Sequence, residues 1–106
     1  MEISYKNNKL ERSCDTEKSA KACYGLYAKK VVQRLGQLYA ALDLTDIQKD
    51  PSARLHPLVG KRDGQFAINT KHPFRIVFVP EGNFNIEDIS TIKNIRILEI
   101  NINYHD

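Results

Sequence analysis

Three histidines, His56, His72 and His105, are the side chains best able to move protons near neutral pH. None of them pairs at H-x-x-x-H or H-E-x-x-H spacing, and the two cysteines, Cys14 and Cys23, do not form C-x-x-C. Spacing therefore gives a metal site little support, and no cofactor is expected. G-x-S-x-G, the P-loop and G-x-G-x-x-G are all absent. Acyl transfer by a nucleophile elbow, P-loop nucleotide hydrolysis and dinucleotide binding lose their usual signatures. What remains is a basic, acid–base set: Arg54-Leu55-His56-Pro57-Leu58, Gly60-Lys61-Arg62-Asp63-Gly64, Arg75, and Asn103-Tyr104-His105. Brought into one cleft, these are the parts needed to cleave RNA without a metal. The ribose 2′-OH attacks the adjacent phosphorus. A base takes its proton, an acid protonates the leaving 5′-oxygen, and cations stabilise the phosphorane. Each residue also has a plainer reading. His72-Pro73 reads as a polar turn, Arg75 as an edge residue paired with Asp63 or Glu99, and Tyr104 as the last core plug of a sheet.

The charge pattern agrees with an anionic partner without requiring one. The 106 residues carry a net charge of +3. Residues 52–80 hold the cations Arg54, Lys61, Arg62, Lys71 and Arg75 against one acid, Asp63, whereas residues 81–106 are net acidic. A phosphate-binding surface needs such a concentration, although a solvated face would look the same.

Chemistry of this kind needs a scaffold, and the hydropathy pattern supplies one. Apolar residues make up 42% and charged residues 27%, as in globular proteins. A chain of this length has room for one core. Glu2 to Lys6 reads as a short strand broken at Asn7-Asn8. Asp15-Thr16 offers a helix N-cap. Ala20, Tyr24, Tyr27, Val31, Leu35, Leu38 and Leu42 then recur at helical steps. They predict one long helix, or two bent near Gly25, with Lys21, Lys29, Arg34 and Gln37 on the outer face. Cys23 falls on the stripe and is expected to pack there as a free thiol. A short turn of helix follows and stops at Pro51. Phe66 to Ile68, Phe74 to Val79 and Ile95 to Ile102 read as strands. Leu98, Ile100 and Ile102 should share one face of the last, with Glu99, Asn101, Asn103 and His105 opposite. The class is α+β, an antiparallel sheet covered on one face by helices.

These segments resemble a known family. The run from Arg54 through His56 to Ile68, the strand Phe74-Arg75-Ile76-Val77-Phe78 and the ending Asn103-Tyr104-His105 are similar to the corresponding parts of HigB-type toxins, members of the RelE/ParE superfamily. Over residues 1–50 the similarity is one of pattern. The resemblance implies an antiparallel sheet of three to five strands flanked by two or three N-terminal helices. It implies a metal-independent endoribonuclease that cuts messenger RNA on the ribosome. It assigns acid–base roles to His56 and His105, transition-state stabilisation to Arg75 and substrate positioning to Tyr104, with Arg54, Lys61 and Arg62 as RNA-binding cations. The implied partner is a HigA-type helix-turn-helix antitoxin, with operator DNA reached through that complex. Two departures concern rate rather than fold: Val59 stands where many relatives have a lysine, and Asn103 where they have an acid. Phe66 replaces a common tryptophan.

The superfamily divides between RNA cleavage and ParE-like poisoning of DNA gyrase, and fold does not choose between them. His56, Arg75 and His105 favour cleavage. A catalytically weak relative acting by antitoxin and operator binding remains the alternative. No secretory signal or transmembrane stretch is legible, so a cytoplasmic protein without membrane contact is expected.

Overall fold

The structure is a computed structural model and describes residues 1–103. Strand β1 (Glu2–Tyr5) leads into helices α1 (Asn8–Arg12), α2 (Glu17–Tyr24), α3 (Ala28–Ala40) and α4 (Leu44–Gln48). Strands β2 (His56–Pro57), β3 (Phe66–Asn69), β4 (Phe74–Pro80) and β5 (Asn94–Asn103) follow. They form one five-stranded sheet in the order β1-β5-β4-β3-β2. The α+β class is as expected. The sheet, however, is mixed, because β1 runs parallel to β5 and the other pairs are antiparallel. The parallel register sets Ile3 beside Ile95 and Tyr5 beside Ile97, which matches apolar positions across the edge.

The helices follow local rules. Asn7 is more than a strand breaker: its Oδ1 accepts from the Leu10 N–H at 2.8 Å and starts α1. Thr16 caps α2 through the Ser19 N–H at 3.0 Å. Gly25 then turns the chain at φ +56°, a left-handed value that glycine adopts freely, and α3 begins three residues later. The apolar stripe is thus carried by two helices. Within it, Val31, Leu35 and Leu38 are buried against Phe66, Ile68, Ile76, Phe78, Ile95 and Ile97. Full burial of a side chain such as Leu38 contributes roughly 1.5–3 kcal/mol.

Four expectations need correction. Leu42 is exposed, because α3 ends at Ala40 and the extended backbone at Ala41 takes the chain off the stripe. Cys23, a free thiol, is exposed because the two-turn α2 buries the side bearing Ala20. Arg34 is buried rather than outward-facing, with 1% of its surface exposed. It lies three residues after Val31 and four before Leu38, so its spacing was that of the stripe. In β5 the face pattern switches at two bulges. Glu99 pairs with Val77 while Ile97 pairs with Phe78, and Ile102 pairs with Arg75 while Ile100 pairs with Ile76. Leu98 and Asn101 are the extra residues, so Ile95, Ile97 and Ile100 enter the core together. Asn101 takes φ +61°, which asparagine tolerates. Its Oδ1 accepts from the buried Thr70 hydroxyl at 2.9 Å.

Candidate active site

Alternation along the strands decides which side chains meet. Phe66 and Ile68 of β3, like Ile76 and Phe78 of β4, face the helices. Ala67, Asn69, Arg75 and Val77 therefore lie on the opposite face. Asn69 is the direct cross-strand neighbour of Arg75, and His56 of β2 is that of Ala67. The hairpin thus sets His56, Asn69 and Arg75 on one surface. Its turn adds His72, and the segment entering β2 adds Arg54. These five residues and Leu55 line a cleft of about 460 Å³. The ring of Tyr27, just after the Gly25 bend, packs on Phe74 with centroids 4.9 Å apart, bracing the start of β4 beside Arg75.

The imidazole of His56 has a defined orientation. Its Nδ1 lies 2.6 Å from the main-chain carbonyl oxygen of Arg54. A carbonyl only accepts, so Nδ1 carries the hydrogen and donates. In the neutral ring Nε2 then holds the lone pair, which is the arrangement a general base requires. Arg54 reaches this geometry in the left-handed region, at φ 49° and ψ 50°. For a residue with a side chain that conformation costs free energy, and such strain concentrates at functional sites.

Behind the cleft, Arg34 spans three segments. Its Nε donates to the carbonyl oxygen of Asn69 at 2.7 Å, Nη1 to Gln37 Oε1 and Asp50 Oδ2, and Nη2 to the Ser52 hydroxyl at 3.1 Å. Hydrogen bonds from Ser52 and Gln37, with the nearby Arg34 charge, hold the Asp50 carboxyl well below the usual carboxylate range.

The structure brings together Arg54, His56 and Arg75 of the residues singled out by sequence. Arg62 lies elsewhere: its guanidinium donates to Glu99 Oε1 at 2.6 Å and to Gln65 Oε1 at 2.9 Å. Lys61 is exposed in the same turn. Neither lines the cleft as described. Tyr104 and His105 lie outside the described residues. Two further wall residues come with the hairpin: His72, expected only as part of a polar turn, and Asn69, which the sequence did not single out. A hairpin closing over residues 70–73 opposes Asn69 to Arg75, so counting back from Arg75 would have found Asn69. Among the described residues no three His, Cys, Asp or Glu side chains are grouped to hold a metal ion. No helix among them is long and apolar enough to cross a membrane.

No protein-family model matches the sequence, and no curated protein matches it. Among solved structures, a YoeB/ParE toxin from Agrobacterium tumefaciens superposes with a TM-score of 0.56 at 13% identity, covering 98% of this chain and 100% of that one. The chain shares the fold of that toxin. At this identity the likeness to the YoeB/ParE toxin is one of architecture, and chemistry must be argued from the cleft itself.

Proposed function

We propose that this protein is the toxin of a type II toxin–antitoxin pair and a metal-independent endoribonuclease. The observation that carries the reading is the shared cleft of Arg75 and a His56 whose Nδ1–H is committed to the Arg54 carbonyl. The YoeB/ParE-like fold supports it. In this mechanism His56 Nε2 takes the proton of the ribose 2′-OH as that oxygen attacks phosphorus. The bond from phosphorus to the 5′-oxygen breaks, and His105 supplies the proton to the leaving oxygen. The products are a 2′,3′-cyclic phosphate and a 5′-hydroxyl. Arg75, with Arg54, stabilises the charge that builds on the phosphorane oxygens. Tyr104 stacks on a substrate base. Messenger RNA on the ribosome is the substrate, and a HigA-type antitoxin is the partner that silences the activity and carries the complex to operator DNA.

The test uses purified protein with a synthetic RNA in excess chelator and, separately, with message-programmed ribosomes at the magnesium concentration that keeps them intact. Cleavage that leaves a 2′,3′-cyclic phosphate, and its loss in His56→Gln, supports the reading. Intact RNA under both conditions, with double-strand DNA breaks in cells expressing the protein, would replace it with gyrase poisoning, the activity of ParE-like members of the superfamily.

A further inference from the structure

Arg34 takes no part in the chemistry above, yet it is the largest fully buried side chain among the described residues. A buried guanidinium is costly unless every donor direction is used, and this one reaches four acceptors on three segments. Gln37 belongs to its own helix. The other three contacts go to the two walls of the cleft. One is the carbonyl oxygen of Asn69, the residue opposite Arg75. The other two are Asp50 and Ser52, at the start of the turn that delivers Arg54. That turn is closed by Ser52 donating to Asp50 Oδ1 through both its N–H (3.0 Å) and its hydroxyl (2.6 Å), and by the Arg54 N–H donating to the Pro51 carbonyl at 3.1 Å. The next carbonyl in line, that of Arg54, receives His56 Nδ1.

We propose that Arg34 is a positioning residue: one buried guanidinium that fixes the His56 wall and the Arg75 wall of the cleft relative to each other. The inference rests on the cleft being the reacting site. A planar fork can hold a main-chain carbonyl on one side and a carboxylate and hydroxyl on the other in fixed directions. A lysine has the charge but not the fork. Loosening the turn would free the Arg54 carbonyl and, with it, the ring orientation of His56. A displacement of about 1 Å in such a site costs about 10²-fold in rate.

Arg34→Lys tests this, with Ser52→Ala removing one arm of the clamp at an exposed position and Leu38→Ala as a control that weakens the same helix elsewhere. The main readout is the 15N spectrum of the His56 ring, which reports which nitrogen carries the hydrogen. The expected result is a single Nδ1–H form in the wild type and in Leu38→Ala, and an averaged signal in Arg34→Lys and Ser52→Ala. Cleavage by Arg34→Lys should fall by about 10²-fold in kcat with KM within about twofold. If Arg34→Lys does not fold, Ser52→Ala decides. An unchanged His56 signature in the folded clamp variants overturns the proposal. The ring spectrum needs no activity, so a wild type that cuts no RNA would defeat the proposed function while leaving this test intact.

Discussion

The Nδ1 nitrogen of His56 and the carbonyl oxygen of Arg54 are hydrogen-bonded at 2.6 Å, two residues apart along the chain. The contact is local, and it forms with Arg54 in the left-handed region. A turn anchored by Asp50 and Ser52 supplies that conformation. The His56 side of the cleft is therefore organised by backbone geometry, the preorganisation that the proposed reaction needs.

Replacing His56 by glutamine retains a donor of similar reach for the Arg54 carbonyl but removes the basic nitrogen. If His56 is the general base of the proposed reaction, kcat should fall by roughly 10²–10⁴-fold, with RNA affinity within a few-fold of the wild type. Single-turnover cleavage measured beside equilibrium RNA binding separates the two quantities. Equal losses in both would mean that His56 binds rather than reacts.

Arg75 stands on the central strand β4 with Asn69 directly across from it. Its substitution by alanine should reduce kcat by about 10²-fold or more. Lysine should recover only part of that, since a single ammonium cannot bridge two phosphorane oxygens. The salt dependence of RNA binding should lose about one unit of slope on removal of this cation. A slope equal to that of the wild type would place Arg75 away from phosphate.

Lys61 and Arg62 are neighbours in sequence with opposite fates. Arg62 is half-buried in an ion pair with Glu99, whereas Lys61 is exposed. Arg62→Ala should lower folding stability by about 1 kcal/mol or less, in keeping with a partly exposed pair. It should leave the salt slope of RNA binding unchanged. Lys61→Ala should do the reverse. Urea unfolding and binding at several salt concentrations check both, and a slope change in Arg62→Ala would return that residue to the RNA-binding surface.

Much of this was legible in the residues because its causes are local. Period-two patterning located β3, β4 and β5, and the N-cap at Thr16 and the bend at Gly25 follow from residue type. What stayed hidden depends on partners distant in sequence. Arg34 has core spacing but a charged head, and only its acceptors at Asp50, Ser52 and Asn69 explain its burial. The bulges at Leu98 and Asn101 are set by pairing with β4, so strict alternation did not foresee that Ile95, Ile97 and Ile100 enter the core together. Arg62, an RNA-binding cation by resemblance, is paired in the fold with Glu99, thirty-seven residues away, which residue type alone did not foretell. The Arg54–His56–Arg75 grouping could be anticipated from residue type, whereas His72 and Asn69 entered the cleft through the closing geometry of one hairpin.

Asp50 makes the acid limit of the fold testable. Its carboxyl accepts hydrogen bonds from Ser52 first and Gln37 next, with Arg34 alongside, and it titrates well below the ordinary aspartate value of 3.8. The unfolded chain therefore takes up this proton at a higher pH than the folded chain does. By linkage, the stabilisation is fully present above the ordinary aspartate range and is lost as pH falls through it toward the depressed folded value. An asparagine side chain at this position is neutral at every pH, so Asp50→Asn should be less stable than the wild type near neutrality, with the gap closing as the solution is acidified below about pH 4. Urea midpoints measured from about pH 7 down to about pH 2 give the comparison. Parallel curves, with the gap unchanged across that window, would show that the Asp50 charge contributes nothing to holding the cleft wall in place.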